Sequence, residues 1–135
     1  MEPSLELQKA IRSRLVASSA VIGLVPAANI VDRNGLPAVF PCILIGEGQT
    51  VGTGAVARNR HEVFTDLHVW AKETGLVTSK QIVGTIRAAL ADTVWPVVGL
   101  HVADLHVAST RFLRDPGGLY SHAVVSLEAI VLEVA

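Results

Sequence analysis

The sequence predicts an α+β domain, with a mainly antiparallel sheet and two helices packed on one face of that sheet. Two segments carry apolar residues at spacings of three and four, which is typical of amphipathic helices. Several other segments alternate apolar and polar residues, as half-buried strands do. A chain of 135 residues without repeats or a linker-like stretch is expected to form a single domain, residues 1–135.

Two helices are predicted. The first begins at Ser4, whose hydroxyl can cap the helix N-terminus, and runs to about Ala17. Its apolar stripe consists of Leu7, Ala10, Ile11 and Leu15. The second runs over about 76–92 and ends before Pro96, because proline cannot continue a helix. Between the helices, the short apolar patch 21–25 is predicted to form a helical turn against the sheet.

The predicted strands are residues 30–31, 42–45, 62–71, 100–113 and 120–134. Their alternation assigns side chains to faces. On the third strand, one face carries Val63, Thr65, Leu67 and Val69, and the other carries Phe64, Asp66, His68 and Trp70. Residues 49–59 are rich in small side chains and show no period, so they form either a mobile loop or the tip of an extended hairpin.

Composition favours a subunit that hides part of its surface against copies of itself. Only 17% of the residues are charged, below the roughly 25% of ordinary soluble domains. Obligate interfaces are depleted in charge, whereas the competing interpretation is a soluble monomer with an Ala- and Val-rich core. The net charge is −1 and the 11 Lys and Arg residues are scattered, which argues against direct nucleic-acid binding.

Targeting and membrane signals are missing from the sequence. The N-terminal segment lacks the features of a signal peptide, and no run of apolar residues is long enough to span a membrane. The expected compartment is a reducing cytoplasm, or a particle assembled there. The single cysteine, Cys42, lies in an apolar run and is predicted to be a buried, unreactive thiol.

One glycine-rich stretch, 52–57, matches the letters of a dinucleotide-binding fingerprint. That chemistry needs the glycines between a strand and a helix, so that the helix N-terminus meets the pyrophosphate. The segment that follows here is a predicted strand, which favours a flexible loop instead. No G-x-S-x-G nucleophile motif occurs either.

A metal site on one sheet face is an open alternative. Acid–histidine pairs recur on two predicted strands, and the last strand adds further polar side chains of one parity. These residues are Asp66 with His68, Asp104 with His106, and then His122, Ser126 and Glu128. Together they could hold a metal for a small metal-dependent hydrolase. The favoured interpretation is a half-polar sheet face that meets solvent or a neighbouring subunit.

The order of motifs resembles the tail-completion, or tail-terminator, proteins of long-tailed double-stranded DNA phages and of phage-derived gene transfer particles. Two motifs carry most of the resemblance, namely Phe40-Pro41-Cys42-Ile43-Leu44-Ile45-Gly46-Glu47 and Leu67-His68-Val69-Trp70. The opening Leu5-x-Leu7-Gln8-x-Ala10-Ile11 and the turn Arg114-Asp115-Pro116-Gly117-Gly118 add to it. The resemblance covers nearly the whole chain.

The resemblance implies a structural role in a virion or phage-like particle. Such proteins form a hexameric ring that caps the tail tube, ends its polymerisation and joins the tail to the head connector, or stopper. DNA passes through the ring lumen without specific binding. No enzymatic activity, cofactor, metal or membrane contact is expected, and assembly takes place in the bacterial cytoplasm. Another head–tail joining component, a stopper or an adaptor, is the alternative within this class.

Ring closure requires heterologous contacts, in which one face of a subunit meets a different face of the next. Open strand edges and two turn segments are the candidates for these contacts. The first segment contributes Gln49, Thr50, Val51, Gly52, Thr53, Gly54, Arg58 and Arg60, and the second contributes Asp115, Pro116, Gly117 and Gly118. We expect the first segment to reach the tube or the lumen, and the second to lie at a rim of the ring.

Overall fold

The computed structural model describes residues 1–54 and 56–134. Its helices are α1 (Pro3–Ala17), α2 (Ser19–Ile22) and α3 (Val77–Ala89), with a 3₁₀ turn at Ala27–Asn29. Its strands are β1 (Ile30–Asp32), β2 (Cys42–Gly52), β3 (Arg60–Ala71), β4 (Leu100–Arg114) and β5 (Ser121–Glu133). The α+β prediction is confirmed, and so is the helical turn expected near Val21. In the part of the chain described, no helix is long and apolar enough to cross a membrane.

The five strands form one sheet in the order β1-β2-β3-β5-β4. Among the strand pairs of the described residues, β1–β2 is parallel and the other three are antiparallel. After β3 the chain crosses one face of the sheet as α3, enters the far edge as β4, and returns as β5 between the two. Along β2, β1 pairs only as far as Ile45, so the distal part of β2 and the whole outer side of β4 are edges without a strand partner among the described residues.

The core lies between the helices and one face of the sheet. Apolar stripes on α1 and α3 meet the inward-facing residues of β3 and β5. On the side that faces the helices, the buried side chains are Val63, Thr65, Leu67, Val69 and Ala71 from β3 and Ser121, Ala123, Val125, Leu127, Ala129 and Val131 from β5. The predicted division of these strands into two faces is therefore confirmed.

The predicted cap of α1 is wrong. The helix starts at Pro3, with Glu2 at the N-cap position and no side-chain hydrogen bond to the helix end, so Ser4 lies inside the first turn. Proline is well suited to the first helical position because its fixed φ fits the helix and its missing N–H would have no partner there.

The second predicted helix is shorter than expected, since α3 occupies Val77–Ala89 rather than 76–92. A carboxylate that lies just before the helix in the sequence caps it. Glu73 accepts hydrogen bonds from the backbone N–H groups of Thr78 (2.9 Å) and Ser79 (3.0 Å), and also from the hydroxyl of Ser121 on β5. This carboxylate therefore links the helix N-terminus to the start of β5.

The strand predicted over 42–45 is too short, because β2 continues to Gly52 with a bulge between Ile45 and Gly48. The glycines in this part of β2 are needed because atoms of β3 approach them closely, not because the chain turns there. A Cβ at Gly46 would lie 2.5 Å from the His68 ring, and one at Gly48 would lie 2.7 Å from the Phe64 carbonyl oxygen. Of the alternatives for 49–59, the extended hairpin is correct, and residues 49–52 are strand, not loop.

Two bulges in β4 set which of its side chains face the helices. They fall between Val102 and Asp104 and between Val107 and Ser109. Because each bulge adds a residue, Val102 and Leu105 both point into the core despite their opposite parity. The simple alternation expected over the strand is broken there.

Candidate interaction surfaces

The side of the sheet opposite the helices is called the open face. No helix of residues 1–54 or 56–134 lies on it, and most of its central side chains are half-buried. It carries Phe64, Asp66, His68 and Trp70 from β3 and His122, Val124, Ser126, Glu128 and Ile130 from β5. The predicted parity of these residues is confirmed by the β3–β5 register.

Three rings stack at one end of the open face. The Trp70 and His122 rings lie 3.9 Å apart at 9° between planes, and the His68 and His122 rings lie 5.1 Å apart. His68 Nδ1 and His122 Nε2 share a hydrogen bond of 2.8 Å, and His68 Nε2 lies 3.4 Å from a Glu47 carboxylate oxygen. Burial, together with the charges of His68 and Arg111, lowers the pKa of His122 to about 4. His122 is therefore neutral at pH 7.

This environment predicts a pH effect that can be assigned to His122. Its folded pKa of about 4 lies below the ordinary value near 6.5, so the unfolded state binds more protons between these values. The His122 contribution is expected to be complete above about pH 6.5 and to decrease as the pH falls towards 4. The His122→Phe variant keeps the stacking and should lose this part of the pH dependence of unfolding. An NMR titration of the His122 ring with a midpoint near 6.5 would contradict the prediction.

The joint metal site considered from the sequence is not formed. The two acid–histidine pairs lie on β3 and β4, and β5 runs between them, which separates the pairs by two strand spacings or roughly 10 Å. Asp66 instead accepts a 2.8 Å hydrogen bond from Ser126, and Asp104 lies 2.8 Å from His106 Nδ1. Among the described residues, no group of three His, Cys, Asp or Glu side chains is arranged to hold a metal ion.

A small cavity on the open face is called the acidic groove. Its volume is about 120 Å³. It is lined by Glu62, Phe64, Asp104, His106, Glu128, Ala129 and Ile130. Three of these side chains are carboxylates and none is Lys or Arg, so the groove is a negatively charged recess with an apolar floor.

Cys42 is 1% exposed. Burial raises the pKa of its thiol to about 11. The thiol is therefore protonated at pH 7, and only the thiolate is a good nucleophile. The prediction of a buried, unreactive cysteine agrees with this environment.

The segment between β2 and β3, residues 53–59, is called the hairpin tip. Of the first predicted contact segment, Thr53, Gly54 and Arg58 lie in the tip, while Arg60 begins β3. Val56 is fully exposed. Ala55, which belongs to this segment and to the glycine-rich stretch, lies outside the described residues. The base of the tip is held to β5, because the Glu133 backbone N–H donates to the Asn59 carbonyl at 2.8 Å.

The second predicted contact segment is a turn, as expected. The Gly118 N–H donates a 2.9 Å hydrogen bond to the Asp115 carbonyl, and Gly118 has a φ of 72°, which glycine adopts without strain. The next aromatic residue, Tyr120, stacks on Phe40 with ring centroids 4.7 Å apart. From the strand register, this turn lies at the end of the sheet opposite the hairpin tip.

Within residues 1–54 and 56–134, the sheet thus presents an open face, strand edges without a partner strand and a projecting segment at each end. These features are typical of an assembly subunit, a domain that works through its surfaces. Residues 9–132 match the family model of the tail completion protein gp17, and the chain belongs to that family. The resemblance seen in the sequence is confirmed, and the chain is a structural protein of the tail.

The solved structures similar to this chain include the following two. One comes from the virion of a native gene transfer agent particle, with a TM-score of 0.81, 16% sequence identity and coverage of 93% of this chain and 94% of that chain. The other is the gp17 protein of bacteriophage SPP1, with a TM-score of 0.59, 19% identity and coverage of 98% and 91%. At these identities the likeness establishes the fold. A comparison with curated protein sequences gives no match.

Proposed function

We propose that this protein completes the tail as a ring, expected to be hexameric, on the end of the tail tube. There it stops tube polymerisation and joins the tail to the stopper protein of the head connector. The observation that carries this proposal is family membership over residues 9–132. The similar fold found in a gene transfer agent virion supports it, and so do the segments that project at both ends of the sheet.

The fold supplies surfaces for the heterologous contacts that a ring needs. The outer edge of β4 and the distal part of β2 form opposite edges of the same sheet. Two neighbouring subunits can therefore contact them with different surfaces. The hairpin tip projects beyond one end of the sheet and the turn at Asp115 beyond the other. We assign the turn to a rim of the ring.

The charge of the chain is compatible with a DNA conduit. A protein that neutralises many phosphates holds DNA tightly, whereas this chain has a net charge of −1. DNA passes through the lumen without specific binding in this proposal. The protein is placed in the tail or neck of a virion or phage-like particle that assembles in the bacterial cytoplasm.

Removal of this protein from particle-producing cells tests the proposal. We expect tails of excess and variable length that are not joined to heads, and we expect the wild-type chain supplied in trans to restore both defects. Electron microscopy of the lysate measures tube length and head attachment separately. A stopper or adaptor would leave tube length normal while abolishing attachment. Normal tails joined to heads in the absence of this chain would contradict the proposal altogether.

A further inference from the structure

We propose that the acidic groove of one copy receives the hairpin tip of the neighbouring copy, and that this contact repeats around the assembled ring. The inference rests on the proposed ring and names one of its contacts. It joins two surfaces of the chain that match in charge and in apolar content.

The groove is suited to a cationic side chain with an apolar neighbour. Its floor includes Phe64 and Ile130, and its carboxylates are Glu62, Asp104 and Glu128. The ring nitrogens of His106 lie 2.8 Å from an Asp104 oxygen and 3.7 Å from a Glu128 oxygen, so the imidazole lies between these two carboxylates. At about 120 Å³ the cavity has room for a side chain rather than for a folded segment.

The hairpin tip and the first residue of β3 carry the complementary groups. Residues 49–61 contain no Asp or Glu, and their two charged side chains are the exposed cations Arg58 and Arg60. Val56 is fully exposed beside them. An exposed valine followed by two arginines thus matches a groove lined by apolar side chains and three carboxylates, and Arg is the side chain best suited to paired contacts with carboxylates.

The described residues of the tip lie outside the groove of their own chain. Glu62 and Phe64 lie on β3, the strand that the tip extends, and the tip points away from them. The pairs Val51–Glu62 and Gly52–His61 hold the two strands of the hairpin together up to the tip. Residues 53, 54 and 56–59 do not line the groove of their own chain, and the occupant in this proposal is a second copy. Such a contact joins two different surfaces and therefore propagates around a ring.

Disulfide cross-linking in assembled tails tests the contact. A chain carrying both Val56→Cys and Ile130→Cys should give a ladder of covalent oligomers when tails are isolated and oxidised. The matched control carries Leu36→Cys with Ile130→Cys, since Leu36 is also strongly exposed but lies outside the hairpin tip. Buried Cys42 is common to both chains. The control should give no ladder.

Charge reversal tests whether the cross-link depends on the proposed charge complementarity or arises from chance proximity. Adding Arg58→Glu and Arg60→Glu to the cross-linking chain should reduce the cross-linked fraction by about tenfold, and adding Glu62→Arg and Glu128→Arg as well should restore it. A ladder equal to that of the control, a ladder insensitive to charge reversal, or a cross-link from position 56 to the tube protein would overturn the inference. Any of these results in tails that contain several copies of the chain leaves the ring proposal intact. Tails containing at most one copy would refute the ring itself.

Discussion

The Leu67→Ala variant is expected to lower the free energy of unfolding by about 3–4 kcal/mol, because it leaves a cavity between the sheet and the helices. Leu67 is 0% exposed and lies near the middle of β3, opposite Ile45 on β2 and Val125 on β5. Denaturant unfolding followed by circular dichroism measures the change. The effect should be among the largest of any single aliphatic truncation, because both neighbouring strands and the helices fix the walls of the site.

A surface truncation of the same type is the control. Leu119 is 57% exposed in the turn between β4 and β5, and Leu119→Ala should change the free energy of unfolding by no more than about 0.5 kcal/mol. A loss below about 1 kcal/mol for Leu67→Ala would show that this side of β3 does not form the core.

The Glu73→Ala variant is expected to lower the free energy of unfolding by about 2 kcal/mol. Three groups would lose their acceptor, namely the backbone N–H groups of Thr78 and Ser79 and the hydroxyl of Ser121. The same denaturation experiment measures this loss in the free energy of unfolding. A double-mutant cycle with Ser121→Ala isolates the link to the sheet, and a zero coupling energy would contradict this role for Ser121.

The effect of Glu73 should depend on pH. Burial acts to raise the pKa of its carboxyl group, but the hydrogen bonds from Ser121, Thr78 and Ser79 outweigh burial and lower the pKa. The stabilisation is therefore complete above the ordinary Glu pKa and is lost as the pH falls through the lower folded value. The difference in stability between wild type and Glu73→Ala should shrink in acid, and a difference that grows in acid would contradict the assignment.

Periodicity was sufficient where one face of an element is buried and the other is not. On β3, residues such as Leu67 and His68 alternate without interruption, so their faces could be assigned before the strand partners were known. The apolar stripe of α1 allowed the buried face of that helix to be assigned in the same way. The β4–β5 turn was equally accessible, because Asp115 to Gly118 contains the residues that turns require.

Features that depend on distant partners could not be predicted. Gly46 and Gly48 look like a strand end in the sequence, yet they are the residues that let β2 pass close to His68 and Phe64. The cap of α3 comes from Glu73, which hydrogen-bonds both the helix end and Ser121, 48 residues further along the chain. Local sequence patterns contain no signal for these close approaches or for the bond between Glu73 and Ser121.

The candidate surfaces, too, were predictable only in part from the sequence. Both turn segments were identified from composition, although the strand content of residues 49–52 was missed. The acidic groove was not predicted as a unit. It depends on the β4 bulge after Val102, which keeps Asp104 and His106 on the open face beside Glu128. A register shift of this kind is set by pairing with β5 rather than by the β4 sequence.

Cryo-electron microscopy of isolated tails tests most directly the claim that this chain acts by assembling with copies of itself. We expect a closed ring of this protein at the end of the tube that faces the head, with the chain in multiple symmetry-related copies. Tails that are complete and joined to heads, but contain this protein as a single copy or lack it, would contradict the claim.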